Sequence, residues 1–189
     1  DHVSAYSLIV EPGTRLAARV SRGEIPNPSD DVAAHRYELI DSKLRSLGMT
    51  WYEVSNWSKP GGECRHNIAY WRNQDWLGIG PGAHAHSAGT RSWNLKHPAA
   101  WAARVDEGVS ATADLEVLDA SDINHDDIML GLRLREGLAL SVLGDAGLTQ
   151  AQLAVTEGLL EPASFTEGKA VLTFQGRLLA DGLVARLWA

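Results

Sequence analysis

Residues 62–71 read GECRHNIAYW and hold the chain's single cysteine, Cys64, two positions before His66, with Asn67, Tyr70 and Trp71 close behind. Thiolate and imidazole are metal ligands, while phenol and indole rings offer flat apolar surface with a polar handle. If the stretch is helical, His66 and Tyr70 form one i,i+4 pair and Asn67 and Trp71 another, and the four share a face about 140° wide. An imidazole on such a face can meet a metal or a porphyrin iron, with the aromatic rings against the macrocycle. The same spacing also describes a core stripe with a hydrogen-bonded histidine, and spacing alone favours that plainer reading.

Two further constellations compete with it. Cys64, His66, His84 and His86 form a Cys-x-His and a His-x-His pair that, on extended segments, would close a tetrahedral zinc site. In a helix residues 64 and 66 point about 200° apart, so this reading and the helical one exclude each other. Without a second cysteine pair the zinc signal is poor. The other constellation is GIGPGAH, residues 78–84, where glycines let the backbone approach a ligand and expose N–H groups. It lacks the Lys-Ser/Thr of a phosphate-binding P-loop and does not match G-x-G-x-x-G. A cofactor loop and a merely tight loop fit it equally.

The elements that must position these residues can be read from pattern. HVSAYSLIV reads as a strand over about 3–10, ended by the turn EPGT, and a short helix follows over 16–20. Ser29 caps a helix whose first turn carries Asp30 and Asp31 and which Gly48 stops. TWYEVSNW is predicted as a second strand, so the opening is a βαβ unit with a crossover long enough for parallel pairing. A helix over 63–72, a short strand DWLGIG, the glycine loop and a strand RSWNL come next, and the sheet is expected to finish there. HPAAWAARVDEG is a further helix, and residues 110–118 read as a linker. Beyond them, short helices, a brief strand AVLTF and a last helix resemble a winged-helix arrangement.

Composition narrows the function classes. With 17 basic and 24 acidic side chains the net charge is −7, so the chain lacks the overall basic field that draws proteins to nucleic acid or anionic lipid. Residues 119–189 carry ten acids against five bases, which argues against DNA reading by the winged-helix-like end and favours a protein contact or lid. One cysteine permits no internal disulfide and cannot hold an iron–sulfur cluster by itself. No run approaches the roughly 18 apolar residues of a membrane span, and no signal core is seen, so a cytoplasmic location is expected. The first residue is not methionine and a strand begins at once, the texture of a piece of something longer.

Taken together, HVSAYSLIVEPGT, YEVSNWSKPGGECRHNIAYW and WLGIGPGAHA resemble the C-terminal part of the radical S-adenosylmethionine heme chaperone family, HemW, also called oxygen-independent coproporphyrinogen III oxidase-like. The resemblance runs from residue 2 to about residue 189. Its most specific element is His-Asn-x-x-Tyr-Trp, here His66, Asn67, Tyr70 and Trp71, which sets the chaperones apart from the true coproporphyrinogen dehydrogenases of porphyrin biosynthesis.

The resemblance implies an α/β chain: residues 1–109 as the C-terminal part of a partial (β/α) barrel, 110–118 as linker, and 119–189 as a small helical, winged-helix-like domain. It implies heme binding, with His66, Asn67, Tyr70 and Trp71 as contacts, and transfer to heme-recipient proteins. Ile9, Gly80, Gly82, Ala83 and His84 would lie near the pocket for S-adenosylmethionine. The family's three-cysteine 4Fe-4S motif and its Gly-Gly-Glu segment do not occur here, so this chain alone cannot assemble the radical-generating centre. The implied partners are heme, recipient proteins and the N-terminal barrel half, with peripheral membrane contact allowed and nucleic acid excluded. A coproporphyrinogen III oxidase and a protein-interaction module are the rival readings.

Overall fold

Ser29 sets the register of the longest helix. Its hydroxyl accepts the Val32 amide at 3.4 Å, Asp30 and Asp31 stand in the positive first turn, and Gly48 at φ 76° lets the chain leave beyond the far end. In the computed structural model, which describes residues 1–188, this helix is α2 (Asp30–Ser46), preceded by β1 (His2–Ser4) and α1 (Arg15–Ser21). The chain forms two compact units, Asp1–Glu63 and Cys64–Ala189.

The sheet of the first unit departs from the expected βαβ pairing. TWYEVSNW is not one strand but a hairpin of β2 (Thr50–Glu53) and β3 (Asn56–Ser58), turning at Val54 and Ser55. The Glu53 carboxylate accepts the Ser55 amide at 3.1 Å, and the Tyr37 hydroxyl donates to the Val54 carbonyl at 2.7 Å, which fixes the turn. The return arm takes the central position, giving the order β1-β3-β2 with both pairings antiparallel. β1 and β2 therefore run in one direction but never pair. Because β3 offers only three residues, β1 stops at Ser4 instead of reaching residue 10, and Ala5 donates a last amide bond to Ser55 at 2.9 Å. Tyr6, Leu8 and Ile9 follow as exposed side chains. Trp57 is fully buried and its indole N–H donates to the buried Asp41 carboxylate of α2 at 2.9 Å, tying helix to sheet.

The second unit opens with α3 (Arg65–Trp71), which agrees with the predicted helix, and Cys64 stands at its N-cap. DWLGIG is not a strand: its one ladder contact is a bridge from Trp76 to His86, and Leu77 and Ile79 are 82% and 86% exposed. β4 (His84–Ser87), β5 (Thr90–Asn94) and β6 (Thr112–Val117) form an antiparallel sheet in that order, with α4 (Pro98–Asp106) between the last two. β6 extends the sheet past RSWNL into residues 110–118. Its apolar Ala113, Leu115 and Val117 alternate with Thr112, Asp114 and Glu116 as a strand requires, and all six residues are exposed.

An aspartate capping box starts α5 (Ala120–Gly131): Asp119 accepts the Ser121 and Asp122 amides, and Asp122 accepts the Asp119 amide. β7 (Leu138–Ala139) leads through a 3₁₀ turn, residues 140–142, into α6 (Asp145–Thr156). α7 (Pro162–Thr166) and β8 (Lys169–Ala170), which pairs with β7, precede α8 (Phe174–Leu178) and α9 (Ala180–Leu187). The predicted last helix is thus broken at Leu179. Ile128, Leu132, Leu160, Leu172, Leu183 and Leu187 are almost completely buried, so the elements from α5 onward carry the main apolar core. The chain is mixed α/β with small, unclosed sheets.

Candidate functional site

α3 brings two of the four singled-out side chains into contact and turns another away. The Nε2 of His66 and the hydroxyl of Tyr70 are 3.0 Å apart, and their rings meet edge to face at 4.8 Å. This is the i,i+4 relation that the helical reading requires. His66 is exposed and Tyr70 half-buried, so the pair is open to solvent. Trp71 sits 100° further round the helix and its indole N–H is buried without a partner. Asn67 is half-buried between them.

Behind Tyr70 lies an aromatic stack that the sequence reading did not assemble. Tyr70 packs edge-on against Trp76 at 4.9 Å, and Trp76 lies over His86 at 5.1 Å. His86 is 5% exposed, its Nδ1–H donates to the Gln74 carbonyl at 3.3 Å, and its Nε2 is buried with no partner. The Trp76–His86 bridge creates this stack by folding residues 74–76 back along β4. A signal for it existed in the tryptophan and histidine themselves, but their pairing across ten residues of glycine-rich loop has no periodicity to betray it.

The end of α3 is clamped from the side of α5. Arg72 forms a two-pronged ion pair with Glu136 at 2.8 and 2.7 Å, and Asn73, at φ 50°, donates to Asp127 at 3.0 Å. Asparagine tolerates this left-handed backbone better than most residues. Hydrogen bonds from Arg72 hold the Glu136 carboxyl below its ordinary range, and the same bonds raise the Arg72 guanidinium above its own.

The zinc reading gives way to the helix. Cys64 is an exposed N-cap residue and His66 a helical one, and among the described residues no group of three or more His, Cys, Asp and Glu side chains is placed to hold a metal ion. The chain's residues do not fit a 4Fe-4S cluster, which needs several thiolates where this chain has one.

The glycine loop is shaped mainly by its own packing. A Cβ on Gly78 would stand 2.2 Å from the His84 carbonyl oxygen, so only glycine fits there. Asn94 donates to the carbonyls of Gly78 and Gly80 at 3.2 and 2.9 Å. The Gly82 amide is bonded to Leu95 and that of Ala83 to Gly80, so these two N–H groups are already spent. Gly80, at φ 107°, faces open space, and exposed His84 lies 5.8 Å from the Trp93 ring. In the first unit Ile9 is 71% exposed, and a cleft of ≈ 570 Å³ beside it is lined by Tyr6, Leu8, Asn27, Val32, Arg36 and Tyr37.

The chain is 50% identical over 187 residues to "Heme chaperone HemW" of Mycobacterium tuberculosis, covering 99% of this chain and 47% of that protein. It is 31% identical over 186 residues to "Heme chaperone HemW" of Bacillus subtilis, covering 96% of this chain and 49% of that protein. The chain thus spans about half the length of the curated relatives it matches. No family model matches it. Among solved structures, the coproporphyrinogen III oxidase HemN of Escherichia coli, a radical SAM enzyme, superposes with a TM-score of 0.63 over 85% of this chain and 42% of that one. At 18% identity that likeness speaks for the fold alone. By sequence and fold together, the chain belongs to the HemW family of radical SAM heme chaperones and matches about half the length of its members.

Proposed function

We propose that the chain is the C-terminal portion of a cytoplasmic heme chaperone, binding heme at the open face of α3 and passing it to recipient proteins. The observation that carries this reading is the His66–Tyr70 contact at 3.0 Å on an accessible helical face, backed by Trp76. A metal-binding type of side chain stands there beside rigid rings, the combination that a planar, iron-bearing ligand needs. Asn67 completes the proposed contacts, whereas Trp71, whose indole N–H is buried, is left out of them. Heme is cargo in this account, and the α5–α9 part, with its net acidic surface, offers the face to a recipient.

S-adenosylmethionine and the 4Fe-4S cluster belong, in this proposal, to the whole protein. Ile9 in the first unit and Gly80, Gly82, Ala83 and His84 in the second are each proposed as S-adenosylmethionine contacts of the whole protein, and no radical step is assigned to this chain. Titrating the chain with heme, unaltered and as His66→Ala, tests the reading. A weaker, altered Soret change in the variant is expected; unchanged absorbance and affinity would remove His66 from the site.

A further inference from the structure

Resting on the heme-binding reading, we propose that the phenol oxygen of Tyr70 is the atom that meets a ferric heme iron, with His66 as the base that takes its proton. The geometry of α3 points that way. Of the two imidazole nitrogens, Nε2 is the one that projects away from the helix and is free of Cβ, and it is the one engaged by the Tyr70 hydroxyl at 3.0 Å. Nδ1 lies beside Cβ, where the plane of a porphyrin would meet the helix backbone. His66 therefore presents its unhindered nitrogen to Tyr70 and not to an incoming ring.

Tyr70 is held more firmly than His66. Its ring is braced at 4.9 Å by Trp76, which rests at 5.1 Å on buried His86, anchored in turn to the Gln74 carbonyl. His66 is exposed, and the ring and hydroxyl it meets are those of Tyr70 itself. A ligand atom on a braced ring loses less conformational freedom on binding than one on an open side chain.

Phenolate is an established axial ligand type for heme iron, and as a hard anionic oxygen it suits the ferric state. In the binding step the Tyr70 O–H bond breaks, its proton passes to Nε2 of His66, and the oxygen bonds to iron as an axial water leaves. Iron stays ferric, no electron is transferred, and the phenolate and imidazolium charges cancel.

The test is the resonance Raman and electronic spectrum of the chain loaded with ferric heme, for the unaltered protein, Tyr70→Phe and His66→Ala. Tyr70→Phe keeps the ring against Trp76, so the fold survives, which the urea midpoint checks. The unaltered chain is expected to show phenolate–iron modes and a phenolate-to-iron charge-transfer band. Tyr70→Phe should lose both and bind roughly tenfold or more weakly, about one decade of Kd for a lost ligating group. His66→Ala should keep the modes at weakened affinity. Retention of the unaltered spectrum by Tyr70→Phe, or an imidazole-ligated spectrum that only His66→Ala abolishes, would overturn the assignment and leave heme binding standing. Absence of any heme-dependent spectrum in the unaltered chain would instead overturn the heme reading, and this inference with it.

Discussion

His66 and Tyr70, one helical turn apart on α3, meet through Nε2 and the phenol oxygen at 3.0 Å, and their contact faces solvent. Core histidines usually find a buried partner, so an exposed imidazole locked to the hydroxyl of a half-buried tyrosine gives up freedom with little return in stability. The pair makes more sense as a surface arranged for a ligand than as part of the core. Leu118 onward supplies the deep packing of the second unit, and α3 contributes no fully buried residue to it.

The first unit depends on the bond between Trp57 and Asp41, both almost fully buried. Asp41→Ala leaves the indole N–H without its carboxylate and is expected to cost about 1–3 kcal/mol, the penalty for an orphaned buried donor. Urea denaturation followed by Trp fluorescence checks it. A loss below a few tenths of a kcal/mol, by the same scale, would mean that the bond is replaced by water.

Gly78 and Gly182 should respond oppositely to alanine. A Cβ on Gly78 would press on the His84 backbone carbonyl at 2.2 Å, so Gly78→Ala is expected to destabilise by about 1–3 kcal/mol as overpacking does. Gly182, in α9, has open space where a Cβ would go, and Gly182→Ala should stabilise by roughly 0.5–1 kcal/mol through helix propensity. Thermal melts of the two variants read the signs directly.

The Arg72–Glu136 pair predicts a pH dependence of modest size. The Glu136 carboxyl is held below its unfolded value, so its contribution is complete above that value and is lost as pH falls through the folded one. Both side chains are nearly half exposed, at 47% and 45%, so solvent screening limits the effect to below about 1 kcal/mol. Comparing urea midpoints of the unaltered chain and Glu136→Gln should show a small deficit at neutral pH that vanishes in acid. A deficit that grows in acid would contradict the assigned pairing.

How far the molecule was legible follows from which forces leave a trace in sequence. α2 and α3 were readable because caps, first-turn acids and i,i+4 spacing are local. RSWNL was readable as β5, but strand pairing was not, since pairing is decided at a distance: Val54 and Ser55 carry no strong turn signal, yet their turn inserts β3 beside β1 and replaces a parallel arrangement by two antiparallel pairings. β6 carries a period-2 pattern, Ala113, Leu115 and Val117 against Thr112, Asp114 and Glu116, which the linker reading of 110–118 passed over. At the site, the His66–Tyr70 pair was implicit in the spacing, whereas the brace of Trp76 and His86 depends on a loop return held by two bridging amides. The inward turn of the Trp71 indole was likewise unreadable, because the 140° face spans both the open and the packed side of one short helix.

The most direct measurement is a Soret titration of the unaltered chain and of the double variant His66→Ala/Tyr70→Phe, with Gly182→Ala as a control distant in sequence. The account predicts saturable binding of one heme per chain, unchanged in Gly182→Ala and weakened by roughly tenfold or more in the double variant, whose urea midpoint stays within about 1 kcal/mol of the parent. Equal affinity and an identical spectrum in the double variant would contradict it.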